Sequence, residues 1–188
     1  ENDVKPTILY SKNVNVDKIN EKEYQKLIDA GNKEFIFKIK YNELNKTISK
    51  LVKSLDNTEI KLCKGLQVMI TYNIDIANKL VNGTRCVIYD INNTTIIVKT
   101  FDNTFHTIGY IKYIDDNDSN VFYEYIPLKL AFAITGHKAQ GSTISLLEMD
   151  LGDDIFEYGQ MYTMISRGTH LSTIKLFRSV VFITSSNS

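Results

Sequence analysis

The sequence predicts an α/β domain that is interrupted by an inserted β module, and three observations lead to this fold class. Helix-type and strand-type hydrophobic patterns alternate at the start of the chain and again at its end. The middle of the chain instead contains short β-branched runs separated by turn-forming residues. A length of 188 residues is sufficient to bury a core for one domain with such an insert.

Two strand–helix units are predicted in the N-terminal part. Thr7–Tyr10 is a β-prone run, and Ser11 or Asn13 can cap the helix that follows it. Gly31 ends that helix, and Phe35–Ile39 forms the next strand. Apolar residues at helical spacing then predict a second helix. The apolar positions are Val16, Ile19, Leu27 and Ile28 in the first helix and Leu44, Ile48, Leu51, Val52 and Leu55 in the second.

A small antiparallel barrel or meander is predicted in the middle of the chain. It follows the apolar run Leu66–Ile70, and its turns fall at Asn92-Asn93 and Asp102-Asn103, which are residues that tolerate hairpin turns. A polar loop at 115–120 precedes a further strand at Val121–Tyr125. The strands around the two turns are Thr84–Ile91, Thr94–Thr100 and Thr104–Ile108.

Strand and helix patterns return after Pro127. The predicted elements are one apolar strand over Leu128–Thr135, a strand near Leu146–Leu151, a helix after Asp154, and strands at Ile174–Phe177 and Val180–Thr184.

The composition excludes several classes of protein. Lys and Arg together number 22, as do Asp and Glu, so the chain is formally neutral at pH 7. Neutrality excludes a histone-like basic protein and an acidic disordered tail, so any contact with nucleic acid must be local. No apolar run reaches the roughly 20 residues of a membrane span, so no membrane partner is expected. Cys63 and Cys86 form no C-x-x-C pair, which disfavours a zinc site or a disulfide framework and favours a reducing compartment.

The segment from Thr135 to Thr143 is one candidate site. It follows an apolar strand and is dense in hydrogen-bond donors. Ligands of α/β sheets bind beyond the carboxyl ends of the strands, where backbone amides can hold phosphate oxygens. An ordinary polar turn with one exposed lysine explains the same residues, and the sequence leaves both interpretations open.

Arg167 is the second candidate. It ends a predicted helix in which Tyr158, Met161, Tyr162 and Ile165 share one face. An arginine in this position either satisfies the last helix carbonyls or reaches a ligand, and its position alone decides neither.

Several chemical motifs are missing from the sequence. No Gly is followed directly by Lys, so the chain has no G-x-x-x-x-G-K-[ST] phosphate-binding loop, and it has no G-x-S-x-G motif. His106, His137 and His170 show no metal-ligand spacing with one another or with the cysteines. We therefore do not expect this chain alone to hydrolyse a nucleoside triphosphate in the P-loop manner, and we expect no metal site.

Several ordered segments resemble the C-terminal half of superfamily 1 DNA helicases of the PIF (petite integration frequency) type, a RecD-like group in superfamily 1B. Those segments are Leu9–Asn20, Leu62–Met69, Leu80–Arg85, Pro127–Gly141 and Gly159–Arg167. They occur in the family's order over nearly the whole chain, which makes the match more specific than any single segment. The Lys-, Asn- and Ile-rich composition suggests a large DNA virus or another AT-rich genome as the source.

The resemblance implies a fold and an activity. Residues 1–79 and 127–188 would form the second RecA-like motor domain, with a three-layer, mostly parallel sheet. Residues 80–126 would form an inserted small β-barrel of the Src-homology type that helps to hold single-stranded DNA. The chain would be the C-terminal portion of an ATP-dependent 5′-to-3′ DNA helicase, and it would be inactive alone because the P-loop lies in the first motor domain.

The resemblance also assigns roles to individual residues. Arg167 would be the catalytic arginine finger that reaches the γ-phosphate. The residues implied in ATP binding are Gln140, Gly141, Gln160 and Arg167. The residues implied in binding single-stranded DNA are Asn13, Thr135, His137, Lys138, Ser142 and Thr143.

The implied cofactors are ATP and Mg²⁺, which an upstream P-loop motor domain of the same polypeptide would mainly bind. The implied partners are that domain, single-stranded DNA, and a primase or another replication protein, at an intracellular site of DNA replication. Two other functions stay open at this point. The first alternative is a stand-alone nucleic-acid-binding module without motor activity, and the second is a structural scaffold for a replication complex.

Overall fold

The computed structural model describes residues 7–10, 13–42, 44–55, 58–115, 118, 120–135, 147–150, 162, 165–168 and 174–178. In this part of the chain the helices are Asn13–Asp29 (α1) and Lys46–Lys53 (α2). The strands are Thr7–Tyr10 (β1), Phe35–Lys38 (β2), Lys40–Tyr41 (β3), Glu59–Leu62 (β4), Gln67–Ile70 (β5), Arg85–Ile91 (β6), Ile96–Thr100 (β7), Phe105–Ile108 (β8), Ile111–Ile114 (β9), Phe122–Tyr125 (β10), Leu128–Leu130 (β11), Ala133–Thr135 (β12), Leu147–Asp150 (β13) and Ile174–Arg178 (β14).

Four of these strands form a parallel sheet in the order β12-β1-β13-β14. Ile8 of β1 lies opposite Ala133 on one side and opposite Glu148 on the other, and Leu147 lies opposite Ile174. Because all the pairs are parallel, the carboxyl ends of the strands meet at one edge of the sheet and the amino ends at the other. We call these the carboxyl edge and the amino edge.

Helix α1 follows β1 and packs on β12 and β1. Its buried residues Val16, Asn20 and Tyr24 recur every four positions, so they share the face that meets the sheet. Gly31 lies two residues after the end of the helix, and its φ of +90° is a left-handed conformation that glycine adopts without strain. The backbone N–H of Asn32 then donates to the carbonyl of Leu27 at 3.2 Å, which closes the helix end.

Five strands form a second, antiparallel sheet in the order β11-β5-β6-β7-β8. The predicted turns form as expected. The side-chain oxygen of Asn92 accepts hydrogen bonds from the backbone N–H groups of Thr94 and Thr95, both at 2.9 Å, and Asn103 has a φ of +63°. The inner face of this sheet supplies much of the hydrophobic core, including Ile88, Ile96, Val98 and Ile108.

Two smaller sheets complete the described structure. Strands β2 and β4 form an antiparallel pair, and β3, β10 and β9 form a three-stranded antiparallel sheet. Helix α2 is capped by the side chain of Asn45, which accepts from the backbone N–H groups of Thr47 and Ile48. Ile48 and Val52 form a separate small core with Val121, the residue just before β10.

The prediction of one continuous strand over Leu128–Thr135 is wrong. The structure divides this run into β11 and β12, which belong to different sheets. The N–H of Ala131 donates to the carbonyl of Gln67 in β5 at 3.0 Å, whereas the carbonyl of Phe132 accepts from Ile8 in β1 at 2.9 Å. Successive residues therefore bond to different sheets, and a mostly apolar run carries no signal of that change.

The mixture of a parallel sheet with antiparallel sheets agrees with the predicted combination of an α/β part and a β part. The predicted strands and helices up to Tyr125 are confirmed to within a few residues, but β3, β4 and β9 were not predicted. The predicted helix after Asp154 lies mostly outside the described residues, although Tyr162 and Ile165 are helical. The predicted strand Val180–Thr184 lies wholly outside them.

Candidate functional site

The carboxyl edge of the parallel sheet gathers two of the predicted site residues. Thr135 is the last residue of β12 and lies opposite Tyr10, the last residue of β1. Asn13 begins α1 three residues after Tyr10, so its backbone lies at the same edge. Thr135 is only 3% exposed. It anchors the point from which the chain continues into residues 136–143.

The side chain of Asn20 fixes α1 against this part of the sheet. Its amide nitrogen donates to the carbonyl of Ala133 at 2.9 Å, and its oxygen accepts from the N–H of Ala133 at 3.0 Å. These are the two backbone hydrogen bonds that a neighbouring strand would make to β12. Asn20 therefore completes the pairing of β12 on the side that faces away from β1.

Arg167 lies at the end of one helical turn. The N–H of Ser166 donates to the carbonyl of Tyr162 at 2.9 Å, and the N–H of Gly168 donates to that of Ile165 at 3.1 Å. Arg167 is half-buried, and its Nη2 donates to the Ser166 Oγ at 2.8 Å. The predicted position of Arg167 at a helix terminus is therefore confirmed.

The neighbour of Arg167 places this helix end relative to the sheet. A Cβ atom added to Gly168 would lie 2.6 Å from the Cδ1 of Ile174, so Gly168 packs directly on the first residue of β14. Ile174 pairs with the first residue of β13 and so belongs to the amino edge. The structure therefore brings Asn13 and Thr135 together at the carboxyl edge and places Arg167 beside the amino edge.

The remaining predicted site residues lie outside the described part of the chain. They are His137, Lys138, Gln140, Gly141, Ser142, Thr143 and Gln160.

A buried polar cluster joins the two large sheets, and sequence reasoning assigned no role to its members. Arg85 of β6 donates from Nη1 to the Thr7 Oγ1 at 2.9 Å, and Gln67 of β5 donates from Nε2 to the carbonyl of Ala131 at 3.0 Å. The Thr7 Oγ1 donates to the same carbonyl at 2.8 Å. Burial lowers the pKa of Arg85 to about 10, because a charged guanidinium is less stable away from water.

The sequence does carry a signal for this cluster. Arg85 is one of three arginines, and it closes the family segment Leu80–Arg85, while Gln67 lies within Leu62–Met69. We call the cluster of Thr7, Gln67, Arg85 and Ala131 the polar joint.

An aromatic surface with nearby cations lies on the outer face of the five-stranded sheet. Tyr89 and Phe105 are 51% and 53% exposed, and their rings meet edge to face with centroids 4.7 Å apart. The Lys64 ammonium lies 5.5 Å from the centroid of the Tyr89 ring, and Lys99 lies opposite Phe105 in the adjacent strand. Exposed ring faces next to cations are the features with which proteins bind single-stranded nucleic acid. We call these four residues the aromatic surface.

A cleft of about 460 Å³ lies between α1, the β2–β4 pair and β11–β12. Its lining includes Asp17 and Glu21 of α1 and Lys38, Lys61 and Lys129 opposite them. None of the predicted site residues lines this cleft, so we assign it no role in the candidate site.

The cysteines and acidic residues of the described part give no sign of a metal centre. Within those residues, no group of three His, Cys, Asp or Glu side chains is placed to hold a metal ion. Cys63 and Cys86 are free and buried, and burial raises their pKa values to about 11 and about 12. No helix in the described part is long and apolar enough to cross a membrane.

Comparison with known proteins connects this fold to one family. Residues 43–91 match the family model described as DNA helicase Pif1, 2B domain. The ATP-dependent DNA helicase Pif1 of Bdellovibrio bacteriovorus is 33% identical over 174 residues, which cover 88% of this chain and 38% of that protein. The uncharacterized protein 030L of Invertebrate iridescent virus 6 is 29% identical over 250 residues, which cover 92% of this chain and 47% of that protein.

A solved structure shares the fold. The Bacteroides Pif1 helicase in complex with ADP-AlF3 and ssDNA matches with a TM-score of 0.60 and 22% identity, over 94% of this chain and 41% of that one. The chain therefore spans about half the length, or less, of the relatives that it matches. The family that the ordered motifs predicted is confirmed, and this chain belongs to the Pif1-type DNA helicases.

Proposed function

We propose that this chain is the C-terminal portion of an ATP-dependent 5′-to-3′ DNA helicase, supplying the arginine finger and part of the track for single-stranded DNA. The observation that carries the proposal is the separation of the two groups of family residues on one parallel sheet. Arg167 lies beside the amino edge, whereas Asn13 and Thr135 lie at the carboxyl edge. A motor half needs two such surfaces, one for the nucleotide and one for the nucleic acid.

Arg167 has the chemistry of an arginine finger. Phosphoryl transfer spreads negative charge over the equatorial oxygens of the γ-phosphate, and a planar guanidinium can donate two hydrogen bonds to them. Because Arg167 is half-buried at a helix end, its guanidinium lies near the surface and its side chain has few available rotamers. We assign Gln140, Gly141 and Gln160 to the same nucleotide, with Gln140 and Gly141 linking it to the DNA track.

ATP and Mg²⁺ fit this chain as the second half of a shared site. Arg167 offers hydrogen-bond donors for phosphate oxygens, but the described part of the chain has no acidic cluster for a metal ion. Mg²⁺ prefers carboxylate and phosphate oxygens, so its protein ligands would come from the P-loop domain of the same polypeptide. Arg167 would bind the γ-phosphate of the nucleotide that this domain holds.

The DNA track would combine the carboxyl edge with the aromatic surface. His137, Lys138, Ser142 and Thr143 follow directly from Thr135, and with Asn13 they would contact the sugar–phosphate backbone. Tyr89 and Phe105 would each stack on a base, and their two neighbouring lysines would attract phosphates. The ssDNA-bound Bacteroides Pif1 named above supports this assignment through its shared fold.

We propose residues 80–126 as an inserted small barrel of the Src-homology type and residues 1–79 and 127–188 as the second RecA-like domain. Strands β6, β7 and β8 lie inside this insert and form three of the five strands of the antiparallel sheet. The flanking strands β5 and β11 complete that sheet. The insert would therefore be anchored through β6, which pairs with β5, and β5 pairs in turn with β11.

The nucleotide assignment is tested by ATP turnover of the full-length polypeptide in the presence of single-stranded DNA. Arg167→Ala is expected to lower turnover about 10³-fold or more, because arginine fingers contribute 10³–10⁵ in rate. Arg167→Lys should remain strongly impaired, because an ammonium lacks the planar fork. Lys175→Ala is the matched control, since this lysine of β14 is 70% exposed and pairs with Glu148 at 3.7 Å. Unchanged turnover in Arg167→Ala would refute the assignment.

The DNA assignment is tested by fluorescence anisotropy with labelled single-stranded DNA at several salt concentrations. Phe105→Ala or Tyr89→Ala should weaken binding about tenfold, because a stacked base contributes about 1–3 kcal/mol. Tyr113→Ala, which removes a 41% exposed ring from a different sheet, should bind like the unchanged protein. Salt-dependent binding without any ATP turnover would instead support the stand-alone binding module. Absence of binding even at low salt would favour the scaffold.

A further inference from the structure

The polar joint ties three segments of the chain at one buried point. Thr7 begins β1 of the parallel sheet, Gln67 and Arg85 belong to neighbouring strands of the five-stranded sheet, and Ala131 lies between β11 and β12. Their exposed fractions are between 0% and 5%. The Ala131 N–H also donates to the carbonyl of Gln67 at 3.0 Å, so Gln67 is held through both its backbone and its side chain.

The choice of an arginine at this point is informative. Burying a guanidinium is unfavourable, and an apolar side chain of similar volume often gives equal or greater stability. A guanidinium instead restricts where its partner can lie, because its N–H groups are coplanar and donate hydrogen bonds only in a narrow range of directions. Arg85 reaches from one sheet to the first residue of β1, an inner strand of the other. Arg85 therefore contributes more to the relative orientation of the two sheets than to the stability of the fold.

The joint lies at the start of the two strands that lead to the candidate DNA track. Thr7 and Tyr10 are the two ends of β1, and Ala131 lies four residues before Thr135 at the end of β12. At about 3.3 Å per residue, the joint is roughly 10–13 Å from the carboxyl edge. A change in the angle between the sheets at the joint would move the aromatic surface relative to that edge.

We infer that Arg85 is a positioning residue, which sets the orientation of the five-stranded sheet on the parallel sheet and so aligns the two parts of the single-stranded DNA track. This inference rests on the proposed function, because it assumes that both sheets contact one DNA strand. Arg85 itself is buried and touches neither ATP nor DNA in this assignment.

The test measures ATP turnover of the full-length polypeptide as a function of single-stranded DNA concentration. Arg85→Met is expected to raise the DNA concentration for half-maximal turnover about tenfold and to leave maximal turnover unchanged, a smaller effect than the hundredfold loss that a 1 Å misplacement can cause. Arg85→Lys should restore part of the affinity, because it keeps the charge and one donor. If Arg85 had only a structural role, part of the variant would be inactive, so maximal turnover would fall while the half-maximal DNA concentration stayed unchanged. That result would overturn the inference.

Thr7→Val provides a second variant if Arg85→Met does not fold. It removes the acceptor of the Arg85 bond with little change in shape and should shift the half-maximal concentration in the same direction. Lys50→Met, which removes an exposed cation from α2, is the control and should behave as the unchanged protein.

Amide hydrogen exchange tests the joint without relying on activity. In Arg85→Met and in Thr7→Val, exchange should become about ten- to hundredfold faster at residues 7–10 and 131–135, the factor expected from losing one hydrogen bond to a charged group. Residues 111–125 should not change. Faster exchange only within 67–70 and 85–91 would overturn the inference. If the unchanged protein shows no DNA-stimulated turnover, the proposed function fails, while the exchange data still decide whether Arg85 couples the sheets.

Discussion

Replacing Asn20 should cost the protein a large share of its stability, although this residue is a single polar side chain on a surface helix. Asn20→Leu keeps the size of the side chain but removes both hydrogen bonds to Ala133, a residue with no exposed surface. Each buried backbone group left without a partner costs about 1–3 kcal/mol. The additional apolar surface that leucine buries stabilises the folded chain by about 1 kcal/mol. Two such groups cost about 2–6 kcal/mol, so we expect a net loss of about 1–5 kcal/mol, a large part of the 5–15 kcal/mol typical of a domain.

Urea denaturation of the 188-residue chain, followed by circular dichroism, measures this loss as a shift of the unfolding midpoint. Gln25→Leu is the matched control on the same helix. The Gln25 amide donates to the Asp29 carboxylate at 2.7 Å, but this contact is exposed, so its removal should change stability by less than about 0.5 kcal/mol. Equal losses in the two variants would show that Asn20 does not act as a substitute strand for β12.

Two further predictions concern packing and burial. Gly168→Ala should destabilise the chain by about 1–3 kcal/mol, because its Cβ would lie 2.6 Å from the side chain of Ile174, whereas Gly109→Ala meets nothing within 4 Å and should be neutral in the same denaturation assay. Cys63 and Cys86 have pKa values raised by burial to about 11 and about 12, so their reactive thiolates form only as the pH approaches those values. A thiol reagent at pH 8 should therefore label them slowly in the native chain and fully in urea, and rapid native labelling would contradict this burial.

The sequence predicted those elements whose signal is local. The hairpins β6–β7 and β7–β8 were recognisable because asparagine suits both turns: the Asn92 side chain accepts hydrogen bonds from the backbone of its turn, and Asn103 has a φ of +63°. Strands β3, β4 and β9 escaped prediction because charged residues interrupt their short apolar runs, whose sequences are KY, EIKL and IKYI. The division at Ala131 escaped because two different sheets bury the same apolar run. Which sheet a strand joins depends on residues far away in the chain.

The candidate site shows the same contrast between local signals and contacts that only the fold creates. Ordered motifs identified the family and singled out Arg167 and Thr135, because those segments are contiguous in sequence. The polar joint was not predicted, since Thr7 and Arg85 are 78 residues apart and neither residue type indicates the contact on its own. The role of Asn20 was hidden for the same reason, as its partner lies 113 residues away. Only the fold brings these groups together.

The neutral composition acquires a physical meaning from the placement of the lysines. A chain with 22 cationic and 22 anionic residues has no long-range field to attract DNA, and at physiological salt charges are screened beyond about 8 Å. Cations therefore attract phosphates mainly at short range, where the protein holds them in a fixed position. Lys112 and Lys40 lie 3.6 Å and 3.7 Å from the ring centroids of Phe122 and Tyr110, and Lys64 lies 5.5 Å from that of Tyr89. If the aromatic surface binds single-stranded DNA as proposed, stacking should supply more of its affinity than counterion release. The salt dependence should then be shallow, with a slope that Lys64→Met lowers by no more than about one phosphate contact.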